Sequence, residues 1–302
     1  MSKNDACRRG DRIRRMLLET WPPSLAALGL ALAVAGTALA AGAPLRIGYT
    51  TDDIAQAKAA GFDYAEIRIG ELVKLSDADF EKLVAANRAS GVPTWAGYTF
   101  LPGDLKIAGL AVDEARVDAY VAKVFERCER LGVRMIVFGA GVSRNAPDGF
   151  SKDEAFRQLV AFGKRVAPGA ARRGITIAAQ PITRAQTNMG NTAAEVAAWV
   201  DAVGHPSFQM SLDLFHTVEV GEDPGAAVAA AGPHLKYAKI SNPKGRTFPA
   251  AAGEYDYVGF LKALRKVGYA GPLGMETSTP AALASEGPRS VALLRGLWKD
   301  LP

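Results

Sequence analysis

Cysteine and histidine are scarce in this 302-residue chain, and the scarcity excludes several chemistries at once. There are two cysteines, Cys7 and Cys128, and three histidines, His205, His216 and His234. That is too few for a His-rich metal centre, and zinc-finger and deaminase spacings are absent. There is no P-loop, no Ser-His-Asp pattern, and no G-x-G-x-x-G after the first apolar run. The run Leu25–Val34 carries no charge but is too short to read as a membrane span. A strong excess of one charge is also missing. Six of the 36 Lys and Arg and three of the 31 Asp and Glu lie in residues 1–40. The remainder carries 30 against 28, a net of +2, so no electrostatic case exists for nucleic-acid binding.

Residues 1–40 have the layout of a secretory signal peptide. Lys3, Arg8, Arg9, Arg12, Arg14 and Arg15 precede the apolar run, and Ala38-Leu39-Ala40 fits an A-x-A cleavage site. Arg14-Arg15 before Met16-Leu17-Leu18 is loosely of the twin-arginine type; a retained anchor is the alternative. The expectation is a periplasmic or secreted protein with no stable membrane span after cleavage. Only Cys128 would then remain, so no internal disulfide can form. A chain of about 260 residues buries enough surface to do without one.

From Leu45 onward one unit recurs: a short apolar run, then a longer amphipathic stretch closing on Gly. The runs are Leu45–Thr50, Tyr64–Ile69, Thr94–Thr99, Arg134–Gly139, Thr176–Ile182, Phe208–Phe215, Leu235–Ser241 and Pro272–Glu276. Val112–Leu131 and Asp153–Ala171 between them have helical period. Asp113, Ser151 and Thr192 stand as N-caps, the last two in capping-box spacing. Apolar runs alternating with helices predict a parallel sheet covered on its faces. Eight of them over 44–302 predict a single α/β domain, a (β/α)8 TIM barrel; a doubly wound sheet is the runner-up.

Barrel chemistry gathers at the C-terminal ends of the strands. The polar residues there are Glu66, Gln180, Asp213, His216, Lys239 and Glu276, with Arg144, Arg184, Asn242 and Arg246 on the following loops. A carboxylate in an apolar run is costly unless paired or functional, which singles out Asp213 and Glu276. His216 reads equally as a satisfied core histidine, and Arg144 and Arg246 as surface charges.

Several of these segments resemble the xylose isomerase-like sugar isomerases and epimerases, which include the tagatose 3-epimerase group. The likeness runs through Gly61-Phe62-Asp63-Tyr64-Ala65-Glu66, Phe100-Leu101-Pro102-Gly103-Asp104-Leu105-Lys106, and Gln180-Pro181-Ile182-Thr183-Arg184. It continues through Leu212-Asp213-Leu214-Phe215-His216 and Asn242-Pro243-Lys244-Gly245-Arg246. The resemblance implies a divalent cation held at the positions of Gln180, Asp213, Lys239 and Glu276. It also implies acid and base roles for the two outer positions, on either side of a carbon next to a carbonyl. Gln offers only a weak ligand, and protonated Lys has no lone pair. An ammonium beside a divalent ion costs several kcal/mol even at an effective dielectric of about 20.

The expectation is therefore a site with no metal and no cofactor, the Lys239 ammonium standing in for the cation. Divalent Mn, Mg, Co or Zn is the family alternative. Glu276 is expected as base, Lys239 as electrophile and Asp213 as the group orienting Lys239. His216 or Glu66 would make the second proton transfer. Glu66, Arg144, Gln180, Arg184, Asn242 and Arg246 are expected to hold a small unphosphorylated sugar or keto-sugar. The alternatives are a non-catalytic periplasmic carbohydrate-binding protein, or a metal-dependent isomerase using Asp213, His216 and Glu276.

Overall fold

A computed structural model describes residues 45–301; the signal layout of residues 1–40 lies outside the described residues. Eight parallel strands close into a barrel in sequence order, β8 pairing back onto β1. They are β1 Ile47–Thr50, β2 Tyr64–Arg68, β3 Thr94–Tyr98, β4 Met135–Phe138, β5 Thr176–Ala179, β6 Phe208–Asp213, β7 Leu235–Ile240 and β8 Leu273–Met275. Each expected run contains one strand, trimmed mostly at its C-terminal end. Those trimmed ends are where the chain leaves the ladder and turns outward, so Gln180 and Glu276 each fall one residue past a strand.

Helices cover the barrel, and the three cap residues each accept a backbone N–H from the first turn. Asp113 accepts the Arg116 N–H and opens Glu114–Leu131, which Gly132 ends in the left-handed conformation. Thr192 forms a complete capping box with Glu195. At Ser151 only half the box forms, because Glu154 turns to Arg157 instead.

Side chains pack in two layers. The larger one fills the space between strands and helices, around Phe100, Phe138, Phe162, Trp199 and Phe208. The smaller one lies inside the barrel: Tyr64, Ala96, Met135, Val137, Ala178 and Tyr237. The Tyr64 and Tyr237 hydroxyls meet at 3.0 Å. β2 and β7 are not neighbours, so this bond crosses the lumen. Room for it comes from glycine: a Cβ on Gly274 would lie 2.3 Å from the Tyr237 hydroxyl, and one on Gly48 2.0 Å from the Tyr64 ring. Gly274→Ala is thus expected to destabilise the barrel by about 1–3 kcal/mol through overpacking. Urea unfolding checks this, and an unchanged midpoint refutes it.

Candidate functional site

Above the tyrosine pair the barrel interior turns from hydroxyls to charges. Lys239 points inward from β7, two residues after Tyr237, and Glu66 points inward from β2, two after Tyr64. Lys239 Nζ donates to Glu66 Oε1 at 2.7 Å and to Glu276 Oε2. The Tyr237 hydroxyl donates to Glu66 Oε2 at 2.9 Å. Beyond β7 the chain makes a tight turn and returns Arg246. Its guanidinium donates to Asp213 Oδ2 at 2.7 Å and lies 3.1 Å from Glu276 Oε1. Three carboxylates and two cations thus form one continuous network.

Burial opposes every charge in it, and the neighbours decide which charges persist. At Glu66, wholly buried, burial outweighs Lys239 and raises the pKa. At Glu276 burial is overcome by Lys239 and Arg246, and the pKa falls below the ordinary value. At Asp213 it is overcome by Arg246, helped by Lys239 and the Phe215 N–H, with the same result. Burial lowers the His216 pKa, leaving a neutral imidazole. Depressed carboxylates stabilise the fold above their unfolded values and lose that contribution as pH falls through the folded ones. Glu66 has the opposite sign, and its raised value favours the fold toward acid. His216, held neutral by burial, takes away some stability as pH falls below about 6.5, and Asp213 and Glu276 add a steeper loss below about pH 4.5. An unfolding midpoint that does not fall below pH 4.5 refutes it.

Over the network lies a cavity of ≈ 210 Å³ at the C-terminal mouth. Glu276, Arg246 and His216 line it on the β6–β8 side; Leu101, Val137 and Ile182 line it on the β3–β5 side; Gln180 stands between. Thr99, Ala140 and Arg246, non-glycine residues with φ of 52°, 40° and 52°, all line it. Backbone strain of this kind concentrates at functional sites.

Glu66, Asp213, Lys239, Arg246 and Glu276 meet in the network, and Gln180 and His216 join them at the cavity. Several roles expected from sequence change. Lys239 is 1% exposed and lies beneath Glu276, so it acts on that carboxylate and not on a substrate. Asp213 pairs with Arg246 and does not orient Lys239. Glu66 is sealed behind Lys239 and does not line the cavity. Arg144 is wholly buried, and its Nη2 donates to the carbonyls of Gln180 at 2.9 Å and Gly190 at 3.1 Å, bracing two loops. Burial without a close carboxylate drives its pKa down to about 9. Asn242 accepts the Lys244 N–H at 3.0 Å and shapes the turn that returns Arg246. Arg184 is exposed and outside the cavity lining.

Sequence reasoning passed over Tyr98, Thr99, Leu101, Val137 and Ile182 as site residues. Their signal was position alone, in or just beyond strands whose C-terminal ends form the mouth.

The family model described as xylose isomerase-like TIM barrel matches residues 54–295. The chain belongs to this family. It is 28% identical over 252 residues to an L-ribulose 3-epimerase of Mesorhizobium japonicum, covering 82% of each chain. It is 28% identical over 225 residues to a D-psicose 3-epimerase of Agrobacterium fabrum, covering 72% of this chain and 75% of that one. A crystal structure of a Methylomonas sp. D-allulose 3-epimerase with D-allulose superposes with TM-score 0.68 at 25% identity, covering 86% of this chain and 93% of that one.

This kinship corrects one expectation outright. Ketose 3-epimerases depend on a divalent metal, so a divalent cation is the cofactor implied here, and the cofactor-free reading of the sequence is withdrawn. The side chains as placed do not compose its cage. An amide and an ammonium occupy two of the four matching positions, and Asp213 and Glu276 are engaged by Arg246 and Lys239. Among the described residues no group of three or more His, Cys, Asp or Glu converges to hold an ion, the set Asp213, His216 and Glu276 included.

Proposed function

We propose that the protein is an epimerase of an unphosphorylated keto-sugar, moving the proton on the carbon beside the carbonyl. The observation that carries this is Glu276, the carboxylate among the cavity-lining residues, held ionised by cations on both of its oxygens. A carboxylate kept charged at neutral pH is ready to take a proton. Lys239 and Arg246 fix its orientation, since each occupies a different oxygen.

Taking that proton leaves negative charge on the carbonyl oxygen, which calls for donors already in place. Among the described residues, three buried nitrogens of the cavity lining have no protein partner: Arg246 Nε, Gln180 Nε2 and His216 Nδ1. Arg246 is the cation that reaches the lining, taking the role the sequence suggested for Lys239. Epimerisation then needs a proton returned from the other face. Gln180 has none to give and a neutral His216 none to spare, so the returned proton comes from solvent water, which His216 is placed to relay, while protonated Glu276 gives its own back to solvent. Neutrality of the substrate fits the charges, because Arg246, the one cation lining the cavity among the described residues, is already paired with two carboxylates. Export remains part of the proposal, resting on residues 1–40.

The test is incubation of purified protein with a panel of unphosphorylated ketoses in D2O. Epimer formation with deuterium at the carbon beside the carbonyl, read by NMR, is expected. Binding without exchange across the panel would instead mean a carbohydrate-binding protein. Because Glu276 titrates below the ordinary glutamate value, kcat/KM should lose its acid limb only below about pH 4.5. A limb near pH 6 would remove Glu276 from the role of base.

A further inference from the structure

Beyond residue 40 the chain carries a net of only +2, but the two ends of the barrel do not share it evenly. Acids gather at the cavity end, where helices begin. Asp113, Asp153, Glu154, Glu195 and Asp256 stand there at N-caps or in first turns. At the opposite end, where the chain enters each strand, cations prevail. Lys58, Arg88, Arg130, Lys266 and Lys299 sit in last helical turns. These complement the negative ends of the helix dipoles and need no other role.

Arg46, Arg134, Arg172 and Lys236 are different. They lie past the helix ends, at or just before a strand, and all four are exposed. Among the described residues none of them forms an ion pair. Arg134 Nη1 donates to the Arg173 carbonyl at 3.2 Å, and Lys236 Nζ to the Pro233 carbonyl at 2.8 Å. Neither contact neutralises the charge. The Arg46 guanidinium lies over the Tyr64 and Trp95 rings, 5.6 Å from each centre. Most acids of this end are engaged elsewhere: Asp63 with Arg295 at 2.9 Å, Glu129 with Arg173 at 3.4 Å and Asp201 with His234 at 2.9 Å. Asp300 is left over. The four cations come from the starts of β1, β4, β5 and β7, so they are spread round the rim. A small anion would need them converged within hydrogen-bond reach of one point. A broad anionic surface needs them spread and facing solvent. The chain also enters the barrel at this end, through Leu45 and Arg46, directly after the segment with the basic start and the apolar run.

We infer that the N-terminal mouth of the barrel is a docking face for an anionic lipid bilayer, held by Arg46, Arg134, Arg172 and Lys236. Docked this way, the protein turns its acid-rich end to the solvent and keeps the cavity open. Docking at this end does not depend on the chemistry at the other.

The test is sedimentation of the full-length protein with vesicles of phosphatidylcholine, alone or with about 30% phosphatidylglycerol. Tighter binding to the anionic vesicles is expected, and the difference should fade as salt rises toward about 0.5 M. Each basic side chain near such a surface counts for roughly fivefold in affinity. Arg46→Gln, Arg134→Gln, Arg172→Gln and Lys236→Gln together should therefore weaken binding by about five hundredfold. Lys74→Gln, Lys82→Gln, Lys152→Gln and Arg157→Gln together remove the same charge from exposed helix positions toward the cavity end and should bind as the parent does. Should the first variant fold poorly, the threefold variant that leaves Arg46 on its rings makes the same comparison, with a loss of about a hundredfold. Equal weakening by both sets of substitutions would show a response to net charge and overturn the docking face. Binding that neither set weakens would place the attachment in residues 1–40 and overturn it too. So would retention of duplex DNA without binding to anionic vesicles.

Discussion

Glu276→Gln should lower kcat for epimerisation by about 10³-fold, with a much smaller change in KM. The amide has nearly the shape of the carboxylate, and its one oxygen can still accept from Lys239 or from Arg246, though not from both. What it cannot do is take a proton from carbon. The loss therefore belongs to the chemical step, and substrate affinity should persist in calorimetry. The same variant separates base from brace. Were Glu276 only an ion-pair partner, its removal would leave Lys239 with Glu66 and Arg246 with Asp213, and stability would fall while exchange continued. Loss of deuterium incorporation at unchanged affinity supports the base. Turnover within threefold of the parent would remove Glu276 from the chemistry.

The barrel was legible because its signals are local and repeated. Each strand is a nearly unbroken apolar run, and helix starts such as Asp113 and Thr192 carry side chains that can do little else but cap. The charged network was legible in part for a similar reason. Asp213 and Lys239 interrupt apolar runs, and burying them requires partners. The identity of those partners was not legible. Lys239 finds Glu66 across the lumen, from a strand 171 residues earlier counting from Tyr237, whose hydroxyl shares the same carboxylate. Arg246 reaches Asp213 only because Asn242 and Thr247 close the chain into a turn. Arg144 looked like a loop cation and is instead a buried brace, a distinction made by the short helix Gly141–Arg144 that carries it. Leu101 and Ile182 have the composition of ordinary core; only closure of the barrel brings them round to face Glu276. The cofactor was misjudged for a different reason. Two changed ligand positions were read as loss of the ion, and kinship with metal-dependent ketose 3-epimerases outweighs that reading.

Lys239→Met should be the most destabilising single change in the network, costing about 3–5 kcal/mol at neutral pH. The methionine fills much the same volume, so the cost is electrostatic. Glu66 is wholly buried and, without the ammonium, keeps only the Tyr237 hydroxyl as a partner. Its pKa is already raised by burial in the parent protein, where Lys239 pulls against that rise. In the variant nothing comparable pulls, and the folded value climbs further. A folded pKa above the unfolded one contributes stability that is complete below the unfolded value and lost as pH rises through the folded one. The deficit should therefore be small at about pH 4.5 and grow toward neutrality, the reverse of the acid loss expected from Asp213 and Glu276. Adding Glu66→Gln to Lys239→Met removes the stranded charge and should recover more than half of the loss. Urea unfolding of the single and double variants at both pH values decides the matter. A deficit independent of pH, or one that the second substitution deepens, would show that Lys239 supports the barrel by packing and not by neutralising Glu66.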